Sequence, residues 1–226
     1  MREEVLAAIL AADKELSRDE PEVAANIGLQ LEHMGLTTWS ISVRRRIRDS
    51  VARISPKNII HTGAAIGHMT AWLLDHYESK DDLENFEIIE EGNRIAVILT
   101  RVCQRYSSVP TSIKVGSPSL LTSELKAWKI SKAGDSPMLE SAEAIIVDAP
   151  LERLADDVTS MLPLLTNNGV LFTVEPTPPV GDREEDDAEV VGFNKWMDLI
   201  RESNESHHLA FAPLFGGTIL AWLPRN

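Results

Sequence analysis

Two glycines stand four residues apart in the segment NIIHTGAAIGHMT, residues 58–70. An apolar run ends abruptly at Gly63, and Gly67 opens a predicted helix. Glycine is required where the backbone turns left-handed or where another group approaches it closely. At a strand-to-helix turn, that group is either a neighbouring strand or a ligand that binds the free N–H groups of the helix. The turn is not the dinucleotide fingerprint, because that motif requires glycine at Ala65.

Residues with suitable chemistry also end three later apolar runs. Glu90 ends FEIIE, where a carboxylate can bind the two hydroxyls of a ribose or simply favour a helix that begins near Asn93. Gly116 and Ser117 end SIKV in a small turn that could hold a planar base, and Asp148 ends AIIV. Because the ends of parallel strands converge on one crevice, these residues describe a nucleoside site without a pyrophosphate. S-Adenosylmethionine is the obvious candidate ligand.

Two different patterns of elements position these residues. The N-terminal part is helical, with helices predicted over 2–17, 21–34 and 40–54. From Pro56, short apolar runs alternate with amphipathic segments, which predicts five strands in a parallel sheet with helices on both faces.

The C-terminal part predicts a different connection. A helix over 186–204 is followed by the runs HHLAFAPL and TILAWLP, which flank Phe215-Gly216-Gly217. This pattern indicates a hairpin whose final strand is antiparallel to its neighbour. We therefore predict an α/β fold with a mostly parallel seven-stranded sheet, in one domain over residues 1–226. The helical extension covers 1–54 and the α/β core 56–226.

Composition restricts the partners. The 226-residue chain is 43% hydrophobic and carries a net charge of -13, which argues against nucleic acid. The run GDREEDDAE (181–189) is interpreted as a solvated loop, and Cys103 as a buried structural thiol. The start of the chain is typical of an amphipathic helix, no run approaches membrane-spanning length, and a cytoplasmic protein is expected.

One solvated helix face is predicted for Arg44, Arg45, Arg46 and Arg48.

The order and spacing of five motifs resemble a known family, from about Leu36 to Leu223. The sequence is similar to small bacterial S-adenosylmethionine-dependent O-methyltransferases of the catechol O-methyltransferase type (family 3). The resemblance implies a Rossmann-like class I methyltransferase fold, a small-molecule hydroxyl acceptor and a homodimer. The motifs are IIHTGAAIGHMTAWLL, FEIIEEGNRIAVILTR, VGSP, AIIVDAP and LFGGTILAWLP.

The resemblance also implies which residues contact the cofactor. Backbone at Gly63 and Ala64 would line its methionine half, which Thr37 would also contact. Glu90 would bind the ribose, and Asp148 would lie beside the sulfonium. Adenine would be bordered by Ser117 and Pro118. The full set of implied cofactor contacts is Thr37, Gly63, Ala64, Ala65, Gly67, His68, Glu90, Gly116, Ser117, Pro118 and Asp148.

The chain departs from the metal-dependent members of that family. Leu151 stands where they have a lysine base, and Glu175-Pro176 stands where they have an Asp-Asn pair of metal ligands. Mg²⁺ prefers octahedral oxygen ligation, for which Asp148 and Glu175 alone are a poor site. We therefore expect no metal site, as in members that lack the usual metal-site residues.

Two histidines lie near the predicted turn. His61 replaces the acid that ends the first strand in the family, and we expect it to hold the loop by hydrogen bonds. His68 occupies the family's aromatic position and is a candidate proton acceptor, because an ordinary imidazole pKa suits that task. The candidate catalytic residues are thus Asp148 and His68.

Three interpretations are open at this point. The first is a metal-independent O-methyltransferase that acts on a small acceptor. The second is a cofactor-binding protein of the same fold with little or no catalysis. The third, an NAD-type oxidoreductase, is disfavoured by the missing GxGxxG.

Overall fold

The computed structural model describes residues 2–225, in which eight α-helices and seven β-strands form. A short 3₁₀ turn, Leu162–Leu164, precedes the fifth strand. The helices are α1 (Arg2–Ile9), α2 (Glu22–His33), α3 (Ile41–Ile54), α4 (His68–Tyr77), α5 (Asn93–Cys103), α6 (Pro118–Ser131), α7 (Leu151–Met161) and α8 (Ala188–Ser206). The strands are β1 (Asn58–Thr62), β2 (Asn85–Glu90), β3 (Thr111–Val115), β4 (Ala142–Val147), β5 (Leu165–Val174), β6 (His207–Leu214) and β7 (Gly217–Pro224).

The seven strands form one sheet in the order β3-β2-β1-β4-β5-β7-β6. Strands β1 to β5 are parallel, while β7 is antiparallel to both β5 and β6. The five parallel strands and the C-terminal hairpin are therefore confirmed. Strand order reverses direction between β1 and β4, and in open α/β sheets ligands bind at the carboxyl ends of the strands beside such a point.

Helices cover both faces of the sheet, as predicted. Ile59 of β1 packs in one hydrophobic layer with α1 to α5, whereas Ile60 packs in the opposite layer with α6, α7 and α8. This alternation follows from the two-residue period of a strand. Helix α3 contacts β4 and β7, so the N-terminal extension packs on the sheet. A single domain over residues 1–226 stays a prediction.

The arginines of α3 do not form a solvated face, so that prediction was wrong. Arg44 and Arg48 are buried, and the α3 arginines bind the irregular segment between α1 and α2. Most of their acceptors are backbone carbonyls, which need donors where the chain forms no helix. The donors and acceptors are Arg45 to Arg18, Arg46 to Leu10, Arg48 to Ser17, and Arg53 to Ile9 and Ala11.

The first helix is shorter than predicted and ends at Ile9 instead of residue 17. The carbonyl of its last residue, Ile9, binds Arg53, and the next carbonyl, that of Leu10, binds Arg46. The Asp13 carboxylate accepts the N–H of Glu15 in a turn. These contacts replace the helical hydrogen bonds that the amphipathic pattern favours. Helices α2, α3 and α8 match their predicted ranges within two residues.

Other predictions from composition agree with the structure. Cys103 is a buried free thiol. Residues 181–187 form an exposed loop, although Ala188 and Glu189 already belong to α8. Within residues 2–225, no helix has the length and apolar character needed to cross a membrane.

Candidate functional site

A cavity of about 580 Å³ opens at the carboxyl ends of β1, β2 and β4, with the segment before α3 as part of its wall. This volume is typical of small-molecule sites. Seven of the predicted contacts line the cavity, namely Thr37, Gly63, Ala64, Ala65, His68, Glu90 and Asp148. Four predicted contacts are not part of its lining, namely Gly67, Gly116, Ser117 and Pro118.

The two glycines of the first turn are explained by close packing. Gly63 has φ +71°, and a Cβ there would overlap the carbonyl oxygen of Asp148. Gly67 has φ +92° and precedes α4, where a Cβ would lie 3.1 Å from a methyl carbon of Leu99. The group that approaches Gly63 is thus the end of the neighbouring strand. Gly63 also lines the cavity, so the same turn forms a wall for a ligand.

The carboxylate of Glu90 holds this turn from the adjacent strand. One oxygen accepts the N–H of Ala65 at 2.9 Å, and Ala65 has a left-handed φ of 46° that is unfavourable for a non-glycine residue. The other oxygen accepts the N–H groups of Glu91 at 3.0 Å and Gly92 at 3.4 Å. A carboxylate offers about four acceptor positions, so the oxygen bound to Ala65 retains capacity for a ligand hydroxyl.

Asp148 is the titratable group of the cavity with the most perturbed acidity. Burial, followed by the negative charge of Glu90, raises its pKa to about 7. Its backbone N–H donates to the carbonyl of Thr62 at 3.0 Å, which fixes the end of β4 against β1. The two carboxyl groups therefore favour a cation, and Asp148 can hold a proton near neutral pH.

His68 belongs to a polar cluster behind the cavity wall. Its Nε2 lies 3.0 Å from an oxygen of Glu20, which also accepts from Arg44 at 2.8 Å and from the Trp72 indole at 3.3 Å. Its Nδ1 is buried without a hydrogen-bond partner. Burial, followed by the charge of Arg44, lowers the pKa of His68. His68 lines the cavity, but its Nε2 is bound to Glu20 and its Nδ1 is buried.

Replacing Glu20 with alanine is expected to destabilise the fold by about 3 kcal/mol, because it leaves the buried guanidinium of Arg44 without its carboxylate. Urea unfolding of the variant measures this change. Glu15→Ala, in an exposed position of the same segment, is the matched control and should unfold like the wild type. Equal stability of the Glu20 and Glu15 variants would contradict the inference that Glu20 neutralises the buried guanidinium of Arg44.

His61 ties β1 to α4. It is fully buried, and its Nδ1 lies 3.0 Å from the hydroxyl of Thr70. Burial lowers the pKa of His61 to about 3, so the ring is neutral at physiological pH. The expected hydrogen bond is present, but it fixes the following helix rather than the loop.

The VGSP turn lies beside Glu90 without reaching the cavity. The N–H of Gly116 donates to the Glu90 carbonyl at 3.1 Å. Ser117 caps α6 by accepting the N–H of Leu120 at 3.2 Å, and Pro118 is the first helical residue. Serine before a helix and proline at its first position are common helix-start residues. The contact of this turn with adenine stays a prediction.

The structure also shows where Leu151 and Glu175 lie, the positions at which the metal-dependent members have their lysine base and a metal ligand. Leu151 is the first residue of α7, and the backbone N–H of Glu175 donates to the carbonyl of Thr218. Within the described part of the chain, no three His, Cys, Asp or Glu side chains are grouped so that they could hold a metal ion.

Several residues that line the cavity were not predicted from the sequence. Leu31 of α2, Trp39 before α3 and Arg153 of α7 all line it. Arg153 also forms an ion pair with Glu91. Trp39 both packs against the core and lines the cavity. The one available signal was for Arg153, which lies in the first helical turn after the Asp148 motif.

The chain matches no protein-family model, and no curated protein sequence matches it. Solved structures match over almost its full length. The O-methyltransferase TomG from Streptomyces achromogenes, in complex with S-adenosylmethionine, is 15% identical with a TM-score of 0.67, and both chains are covered completely.

Two further solved structures show the same likeness. The Podospora anserina methyltransferase PaMTH1, bound to S-adenosylhomocysteine, is 13% identical with a TM-score of 0.66, covering 100% of this chain and 95% of that one. The O-methyltransferase from Bacillus cereus, in complex with S-adenosylhomocysteine, is 14% identical with a TM-score of 0.61, covering 98% and 96%. The resemblance inferred from the motifs is therefore confirmed at the level of the fold, which is the Rossmann-like fold of these methyltransferases.

Proposed function

We propose that the protein is an S-adenosylmethionine-dependent methyltransferase that acts on a hydroxyl group of a small molecule. The observation that carries the proposal is the convergence of Glu90 and Asp148 on one cavity at the strand ends. Three solved structures of this fold, described above, are bound to that cofactor or to its demethylated product.

The lining residues fit the parts of this cofactor. Glu90 retains an acceptor position for a ribose hydroxyl while it holds the turn through Ala65. Gly63 and Ala64 would bring backbone close to the methionine half, and Thr37 belongs to the same lining. Asp148 and Glu90 repel one another, so a bound cation relieves that repulsion. S-Adenosylmethionine would supply the methyl group, already activated on a positively charged sulfur.

In the proposed mechanism, Asp148 accepts the proton of the acceptor hydroxyl. Its pKa is about 7 in the free protein, and the neighbouring sulfonium would keep the carboxylate ionised so that it can accept a proton near neutral pH. His68 is less suitable, because its Nε2 is bound to Glu20 and its Nδ1 is buried. The apolar wall formed by Leu31, Trp39 and Met69 would orient the acceptor for in-line transfer and exclude water.

We further propose that transfer proceeds without a divalent metal. The support is the residue set itself, since Leu151 replaces the lysine base and Glu175-Pro176 replaces the Asp-Asn pair of metal-dependent members. The same substitutions favour the second candidate, a cofactor-binding protein with little or no catalysis.

We also propose a homodimer, from the resemblance, and a cytoplasmic location, from the composition. Light scattering after gel filtration tests the dimer.

Two experiments, performed one after the other, test the proposed function. Calorimetric titration with S-adenosylhomocysteine and with NAD should give saturable binding of the first compound only. A turnover screen with small phenols and catechols, with and without Mg²⁺, then separates an active transferase from a binding protein. Binding of NAD alone would overturn the proposal, and turnover that rises strongly with Mg²⁺ would overturn its metal-independent form.

Cofactor affinity is expected to depend on pH through Asp148. A sulfonium beside this carboxyl favours its ionised form, so binding releases a proton when the free carboxyl is protonated. Affinity for S-adenosylmethionine should therefore rise as pH increases from 6 to 8 and level off above the free-state pKa of about 7. The gain can reach about tenfold per pH unit below that pKa. The uncharged sulfur of S-adenosylhomocysteine should give no such gain.

Calorimetry of both compounds at each pH provides the measurement. Asp148→Asn should remove the difference between them. Asp157→Asn is the matched control, because burial raises the pKa of Asp157 to about 6 but this residue does not line the cavity. Parallel pH profiles for the two compounds in the wild type would refute the role of Asp148.

A further inference from the structure

A second cavity of about 310 Å³ lies between the irregular N-terminal segment, α3 and the tip of the β6–β7 hairpin. It shares no lining residue with the cavity described above. Four cationic side chains line it, namely Lys14, Arg18, Arg45 and Arg46. We call it the cationic cavity.

The carboxylates of the cationic cavity are already bound to other cations. Asp49 accepts from Nε of Arg48 at 2.7 Å, and Asp13 lies 3.4 Å from a guanidinium nitrogen of Arg53. Neither Arg48 nor Arg53 lines the cavity. Across residues 2–225, by contrast, no ion pair involves any of the four cations that do line it.

This lack of pairing is unusual for such an acidic chain. Asp and Glu number 35 against 22 Lys and Arg, so carboxylates are in excess, yet within residues 2–225 none forms an ion pair with these four cations. Burial lowers the pKa of Arg46; nearby Asp49 opposes this, while the charges of Arg45 and Arg53 lower it further. A bound anion would relieve that repulsion.

Two of the guanidinium groups are held in place before any ligand arrives. Arg46 donates to the carbonyl of Leu10 at 2.7 Å, and Arg45 donates to the carbonyl of Arg18 at 3.4 Å. Each contact uses one nitrogen, which leaves the remaining N–H groups of the fork available. A fixed fork of donors matches the oxygens of a phosphate and loses little conformational entropy on binding.

We propose that the cationic cavity binds the phosphate group of a small molecule. Phosphate fits better than a single carboxylate because it carries more charge and more acceptor oxygens. Phe215, which is 90% exposed, and Leu214 form an apolar rim that could contact an aromatic part of the same ligand. The proposal does not depend on the methyltransferase function, because the two cavities have separate linings.

The cationic cavity nevertheless has a physical connection to the first one. The hydroxyl of Ser40 donates to the carbonyl of Phe215 at 2.9 Å, and residues 37–39 line the first cavity. A ligand at the hairpin tip would therefore be connected through Ser40 to the segment 37–39 that lines the first cavity.

The phosphate group could come from a phosphorylated aromatic compound or from free phosphate.

Calorimetric titration with inorganic pyrophosphate tests the proposal on the full chain. Arg45→Gln and Arg18→Gln should each weaken binding about tenfold or more, the value of one charge-assisted hydrogen bond. Arg101→Gln, an exposed change on α5, is the matched control and should bind like the wild type. Arg45→Lys keeps the charge but loses the fork, and we expect intermediate affinity.

Thermal unfolding of each variant shows whether it is folded, so that a loss of binding is not mistaken for a loss of structure. No binding of pyrophosphate by the folded wild-type protein, or equal affinity in all variants, would overturn the proposal. Phenyl phosphate distinguishes the two sources. If it binds more tightly than inorganic phosphate and Phe215→Ala removes the difference, the ligand is a phosphorylated aromatic compound. Equal binding of the two supports free phosphate.

Discussion

Glu90→Ala is expected to weaken the binding of S-adenosylhomocysteine about 100-fold, since a charge-assisted hydrogen bond to a ribose hydroxyl is lost together with a support of the cavity wall. The substitution also removes the acceptor for the N–H of Ala65, so the turn that lines the cavity loses its support. Both effects act on the same ligand, which makes this the largest expected effect on affinity. Calorimetry with S-adenosylhomocysteine measures it.

The matched control lies at the opposite end of the same strand. Glu84 immediately precedes β2 and pairs with Lys57 on the surface, far from the strand's carboxyl end. Glu84→Ala should bind S-adenosylhomocysteine with wild-type affinity. If the Glu90 and Glu84 variants bind equally well, the carboxylate at the end of β2 has no part in the site.

The largest expected loss of stability follows from Gly63→Ala. An added methyl group would overlap the carbonyl oxygen of Asp148, and the residue would also hold a left-handed φ of +71°. Strands β1 and β4 would have to separate at the centre of the sheet. We expect a loss of about 4 kcal/mol in the free energy of unfolding, measured with urea.

Gly35→Ala separates the clash from the backbone strain. Gly35 has φ +67°, and an added Cβ there would contact nothing within 4 Å. This variant should lose only about 1 kcal/mol, the usual cost of a left-handed residue. Similar losses for both glycines would mean that the approach of Asp148 is unimportant.

The sheet and its strand ends were predictable because they depend on local pattern. Buried runs of four to six residues specify parallel strands, and parallel strands bring their carboxyl ends to one edge. Glu90 and Asp148 could therefore be assigned to one cavity from sequence. The hairpin was predictable for the same reason, since glycines between two apolar runs favour a tight turn.

The contacts that escaped prediction join residues far apart in sequence. His68 binds Glu20, 48 positions earlier, and this contact occupies the nitrogen that a proton acceptor would need. The end of α1 at Ile9 depends on Arg53, 44 positions later. No local pattern distinguishes an arginine that faces water from one that faces a carbonyl across the fold.

The arginines of α3 recognise the irregular segment largely through main-chain oxygens, which every amino acid provides. Substitutions among residues 14–18 can therefore accumulate while the segment keeps its path, and the cationic cavity can change its preferred ligand without refolding of the scaffold. Deleting the segment has the opposite outcome, because several guanidinium groups would lose their acceptors together. The irregular segment therefore tolerates changes in its amino-acid types but does not tolerate a change in its length.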